Sequence, residues 1–88
     1  MTLKELIQRI DKDIEILDSC TRKSIFGMNI DYVAFKIGSH YYLVSKSKSP
    51  FYVLTEQTAD GSRDISEAKV FDRTGLIDYI ERLLVLEN

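Results

Sequence analysis

Residues 31–46 constrain this chain more than any other stretch, because two alternating runs meet at Gly38 and Ser39. A two-residue connection with glycine first fits a type II′ turn, since glycine takes φ > 0 without the Cβ clash other residues meet. Such a turn sets Ile37 opposite His40, Phe35 opposite Tyr42, Val33 opposite Val44 and Asp31 opposite Lys46, on one nearly all-apolar face. The other face then carries Tyr32, Ala34, Lys36, Tyr41, Leu43 and Ser45. A three-residue loop over 38–40 would place Phe35 opposite Leu43 and exchange the two faces of the second strand. The two-residue register is the expectation.

Upstream, Thr2 and Glu5 have the spacing of a capping box, in which each side chain satisfies the other's backbone amide. Leu3, Ile7, Ile10, Ile14 and Leu17 follow at intervals of three and four, which predicts an amphipathic helix reaching to about Asp18. Residues 19–29 read as a partly packed loop or short edge strand, with Ile25, Phe26 and Met28 needing cover and Gly27 interrupting any strand. Past the Ser/Lys run that ends at Pro50, residues 51–55 predict a third strand covered on both sides. Residues 58–66 predict an exposed loop around Asp60-Gly61, and 67–71 a short fourth strand. A last helix, capped by Asp72 or Thr74 and running to about Leu86, carries the stripe Leu76, Ile77, Ile80, Leu83 and Leu84. The expected fold class is α+β: an N-terminal helix, a three- or four-stranded antiparallel sheet and a C-terminal helix, with both helices on one face of the sheet. A single domain spanning residues 1–88 is expected at this length.

Twelve basic against fourteen acidic residues, a net charge of −2, give no general attraction to nucleic acid or to an anionic membrane. The balance is uneven, with three Lys against one Glu over 32–58 and four basic against seven acidic residues over 59–88. An ordinary solvated surface accounts for that. Cys20 is the one cysteine, so no internal disulfide can form. With no apolar run near the ~20 residues of a membrane span and no signal-peptide pattern at the start, a cytoplasmic location and no membrane partner are expected.

Chemistry-bearing residues do not assemble into a catalytic pattern. His40 stands alone as the one histidine, which argues against a metal site. Cys20 lies beside Arg22 and Lys23 but has no partner base in the sequence, and reads as a small semi-buried side chain. Asp60, Gly61 and Asp64 lack the alternating acidic ligands and closing Glu of a calcium loop. Arg73, Thr74 and Gly75 open the last helix, where free amides can hold an anion, but no phosphate loop, dinucleotide fingerprint or nucleophile elbow is present. Neither an enzyme nor a cofactor is expected.

Two function classes remain ahead of a small enzyme. If the apolar hairpin face meets the helices, Tyr32, Lys36, Tyr41 and Leu43 lie on the uncovered face, and tyrosines beside a cation are typical of binding patches. That predicts an accessory, regulatory or inhibitory module binding a protein partner or itself, as a homodimer. The element order also resembles that of double-stranded-RNA-binding domains, which implies phosphate contacts from a basic cluster at the start of the second helix. Here that cluster reduces to Arg73 beside Asp72, so a weak nucleic-acid binder using Lys36, Lys46 and Lys48 is the alternative.

Overall fold

The computed structural model describes residues 2–87. The chain runs α1 (Leu3–Ile10), β1 (Glu15–Lys23), β2 (Asn29–Ile37), β3 (His40–Lys46), β4 (Tyr52–Gln57), β5 (Lys69–Phe71) and α2 (Arg73–Glu87). All pairings are antiparallel and the sheet order is β1-β2-β3-β4-β5, each strand beside its neighbours in sequence. The protein is thus α+β, with five strands where three or four were expected. Gly38 takes φ 60° while Ser39 keeps φ below zero, the II′ pattern. The hairpin register is the two-residue one, from Ile37 opposite His40 to Asp31 opposite Lys46.

The additional strand takes in residues 15–18, expected to continue the first helix, and residues 19–23, expected as a partly packed loop or short edge strand. The capping box forms, with Glu5 N donating to Thr2 Oγ1 at 3.2 Å and Thr2 N donating to Glu5 Oε1 at 3.5 Å. Thr2 Oγ1 also donates to Glu5 Oε1 at 3.1 Å, and this bond, followed by the one from Thr2 N, holds the exposed Glu5 carboxyl below its ordinary pKa. The helix then stops at Asp11, whose backbone is extended and whose Oδ1 accepts from Asp13 N at 2.8 Å. Such a local side-chain bond competes with the helix, and Asp-Lys-Asp has little propensity to resist it. Beyond it Ile14 and Ile16 alternate inward: Ile14 is buried and Ile16 packs against the core. Leu17, the last member of the helical stripe, is left 46% exposed. It is the extra residue of a β-bulge, since Ile16 opposes Phe35 and Asp18 opposes Ala34.

Residues 24–28 are the tip joining β1 to β2. Ser24 N donates to Met28 O at 2.8 Å, Gly27 N to Ser24 O at 2.9 Å, and Ser24 Oγ accepts from the amides of Phe26 and Met28. Gly27 has φ 79°. These bonds turn Ile25 and Phe26 outward, 94% and 82% exposed, so the cover expected for them is absent. The expected cover on both sides of β4 is likewise missing, because Leu54 is buried but Val53 on the opposite side is exposed. At the start of α2 the cap is Asp72 rather than Thr74, its Oδ1 accepting from Gly75 N at 2.7 Å. A Cβ on Gly75 would stand 3.0 Å from that oxygen, so a larger residue there requires the Asp72 carboxylate to give by a few tenths of an ångström.

One apolar cluster joins the sheet to both helices. Val33, Phe35 and Ile37 of β2, Tyr42 and Val44 of β3 and Leu54 of β4 meet Leu3, Leu6 and Ile7 of α1 and Leu76, Ile80, Leu83 and Leu84 of α2. The two helices touch each other and both touch β2, α1 also reaching β1 and α2 reaching β5. Every sheet member of this cluster has the parity of Phe35, which fixes what the alternate residues must do: they line the other face.

Candidate functional site

On that other face the register lines up side chains across all five strands. Asp18 opposes Ala34, which opposes Leu43, which opposes Thr55. Cys20 opposes Tyr32, Tyr32 opposes Ser45, Ser45 opposes Val53, and Val53 opposes Val70. Lys36 opposes Tyr41, with its Nζ 5.5 Å from the ring centroid, a cation–π contact that holds the ring in place. Tyr32, Lys36, Tyr41 and Leu43 therefore share one face, as the hairpin register requires. None of the four is fully open, however; each is half-buried.

The partial burial of Tyr32, Tyr41 and Leu43 reflects a concavity of about 510 Å³, which Lys36 does not line. Tyr32, Ala34, Tyr41 and Leu43 form its floor, Leu17 and Cys20 of β1 one side, and residues 57–61 the other. A floor with two phenol rings and aliphatic side chains suits an apolar group, and the rim carries Asp18, Arg22 and Asp60 to orient it.

The 57–61 wall is built around one carboxylate. Asp60 Oδ1 accepts from Thr58 Oγ1 at 2.7 Å, Ser62 N at 3.0 Å and Ser62 Oγ at 2.7 Å. Gly61 supplies the turn with φ 71°, and Gln57 Nε2 donates to Asp64 Oδ1 at 3.0 Å. The hydrogen bonds from Thr58 and then Ser62 favour the ionised form and lower the Asp60 pKa from 3.8 to about 2. The folded value lies below the unfolded one, so the contribution to order is complete above the ordinary value of 3.8 and is lost as pH falls through about 2. The expected result is a carboxyl carbon NMR titration of Asp60 with a midpoint near 2, accompanied by shifts of the 58–62 amides. A midpoint at the ordinary aspartate value would remove Asp60 as the organiser of this wall.

The other candidates lie apart from the concavity. His40 Nδ1 is 3.0 Å from Glu56 Oε2 at the same end of the β3–β4 pair but with the core-face parity, and its ring stacks 6.5 Å from that of Tyr42, which belongs to the core face. Lys46 has the core-face parity of Asp31; its Nζ donates to Ser47 O at 2.8 Å and sits 5.5 Å from the Tyr52 centroid. Lys48 is exposed in the connection to β4. Lys36, Lys46 and Lys48 thus form no single row. Among the described residues no three His, Cys, Asp or Glu side chains gather as a metal-binding group. Cys20 is half-buried on the β1 side of the concavity, and the Gly75 amide at the α2 start is already taken by Asp72.

Sequence reasoning missed Leu17, Cys20 and the 57–61 wall as parts of this site. Reading residues 13–16 as period two rather than period three to four was the available signal for the first two. Nothing in the composition of 57–61 says which way that segment folds.

Among the described residues no helix is long and apolar enough to cross a membrane. No protein-family model matches the chain, and neither a curated protein nor a solved structure shows detectable similarity to it.

Proposed function

We propose that this chain is a cytoplasmic binding module rather than an enzyme, acting as an accessory, regulatory or inhibitory factor through the sheet face that its helices leave uncovered. Both helices are taken to lie over the Phe35 side. The observation that carries the reading is the concavity itself: Tyr32, Tyr41 and Leu43 on its floor are half-buried without belonging to the core cluster. Tyrosines offer large contact area at small entropic cost, and such partly enclosed aromatic floors are where binding energy concentrates. A protein partner would place an apolar side chain on this floor, while Lys36, Asp18 and Arg22 fix its orientation.

The experiment is affinity capture from lysate with and without nuclease, followed by a titration with the purified partner. It compares the wild type with the triple variant Tyr32→Ser, Tyr41→Ser and Leu43→Ser. We expect a nuclease-resistant protein partner whose affinity falls by roughly thirtyfold or more in the variant, the loss of about 2 kcal/mol that even modest hot spots produce. Far-UV circular dichroism should show both proteins folded. Capture that disappears with nuclease would instead favour a nucleic-acid role for Lys36, Lys46 and Lys48, and an unchanged affinity would remove the face from consideration.

A further inference from the structure

Among the described residues, the outer edge of β1 has no strand neighbour. The hydrogen-bonded closure of Ser24 on Met28 makes 22↔30 and 20↔32 the hydrogen-bonded pairs of the β1–β2 ladder, because such pairs alternate along an antiparallel ladder. The two-residue turn at 38–39 gives the same phase from the other side of β2. The backbone groups of Ser19, Thr21 and Lys23 therefore point away from the sheet, and all three residues are exposed. Between the Leu17 bulge and the tip, the regular stretch is Asp18 to Lys23. Its two opposite charges, Asp18 and Arg22, stand symmetrically about Cys20 on the concave face. Four residues of strand separate them by about 13 Å, so they cannot pair with each other. Among the described residues, no ion pair or side-chain hydrogen bond engages either one.

We propose that β1 pairs antiparallel with β1 of a second copy of this chain, about a twofold axis at Cys20. Ser19 and Thr21 of each copy then exchange backbone hydrogen bonds, and each Asp18 faces Arg22 of the second copy. Charge selects this arrangement. A parallel alignment through the same edge turns the second copy over and puts its Asp18 and Arg22 on the opposite face, and a slip of two residues either way loses both charge pairs. The axis is normal to the sheet, so both concave faces open on the same side of a ten-stranded sheet, with Arg22 of the second copy at the rim of the first copy's site. Few groups are buried, which makes the dimer weak and concentration-dependent. The pairing does not rest on the function proposed above: it uses the strand edge and stands if the face captures nothing.

Sedimentation across a concentration series tests it, together with a short bis-maleimide, since any cross-linked product must join Cys20 to Cys20. The wild type should dimerise and cross-link. Asp18→Arg alone and Arg22→Asp alone should each weaken dimerisation by about tenfold or more, having turned two attractive pairs repulsive. The double variant D18R/R22D, and an equimolar mixture of the two single variants, should restore it, because both arrangements again oppose Arg to Asp. All these positions are solvent-facing, and circular dichroism verifies folding. A monomer at every concentration overturns the proposal, as does a dimer indifferent to the single substitutions or one that leaves Cys20 un-cross-linked.

Discussion

Ending the chain after Asp72 abolishes cooperative folding. The truncation removes Leu76 and Ile80, both 0% exposed, together with buried Leu83 and Leu84 and the partly buried Ile77 and Tyr79. Burial of each large apolar side chain contributes about 1.5–3 kcal/mol, so these four buried ones alone represent on the order of 10 kcal/mol gross. An 88-residue domain has a net stability of roughly 4–13 kcal/mol. The loss also uncovers Phe35 and the helix-facing side of β2, and separates Tyr79 from Phe71, whose rings lie 5.0 Å apart. Urea titration followed by far-UV circular dichroism is the measurement. The truncated chain should show no sigmoidal transition, whereas a transition near the wild-type midpoint would mean that the sheet and α1 close a core without α2.

The same physics explains which parts of this fold are legible in the sequence. The 31–46 hairpin reads correctly because three independent signals agree: glycine at the first turn position, period-two alternation, and one apolar face. α2 reads correctly because its stripe spans more than two turns and Asp72 stands at its start. Residues 11–18 fail for a definite reason. Ile7, Ile10, Ile14 and Leu17 satisfy a helical period, while Ile14 and Ile16 also satisfy a strand period, so the apolar pattern alone is degenerate. What decides is Asp11 turning back on Asp13 and the free edge of β2, the second of which is a tertiary fact. The tip residues Ile25 and Phe26 mislead in the opposite direction, since apolar character calls for burial but four local hydrogen bonds to and from Ser24, with Gly27 at positive φ, dictate exposure.

The candidate site divides along the same line. Tyr32, Lys36, Tyr41 and Leu43 fall on one face as soon as the register is known, since parity follows from the turn. The concavity does not follow, because its sides come from β1, read as helix to about Asp18 and then as a loop or short edge strand, and from a segment whose path depends on Asp60 gathering the hydroxyls of Thr58 and Ser62. A flat aromatic patch was legible; its enclosure was not.

Replacing Phe35 with Ala should cost about 3–5 kcal/mol, while Leu43→Ser, on a neighbouring strand and the opposite face, should cost about 1 kcal/mol. Phe35 is 0% exposed, stacks on Tyr42 with centroids 5.5 Å apart, and is enclosed by both the sheet and the helices, so its removal leaves a cavity that the surrounding residues cannot fill. Leu43 is half-buried against a concavity already open to water, so its loss removes little sheltered surface. Urea midpoints at unchanged slope separate the two, since an unaltered slope means that the same surface is exposed on unfolding. The difference bears on function as much as on stability. A face whose side chains contribute little to folding can present aromatic groups chosen for a partner, because substitutions there leave the protein folded. Should Leu43→Ser prove as costly as Phe35→Ala, the concave face would be a second structural core, and its tyrosines would be explained by folding alone.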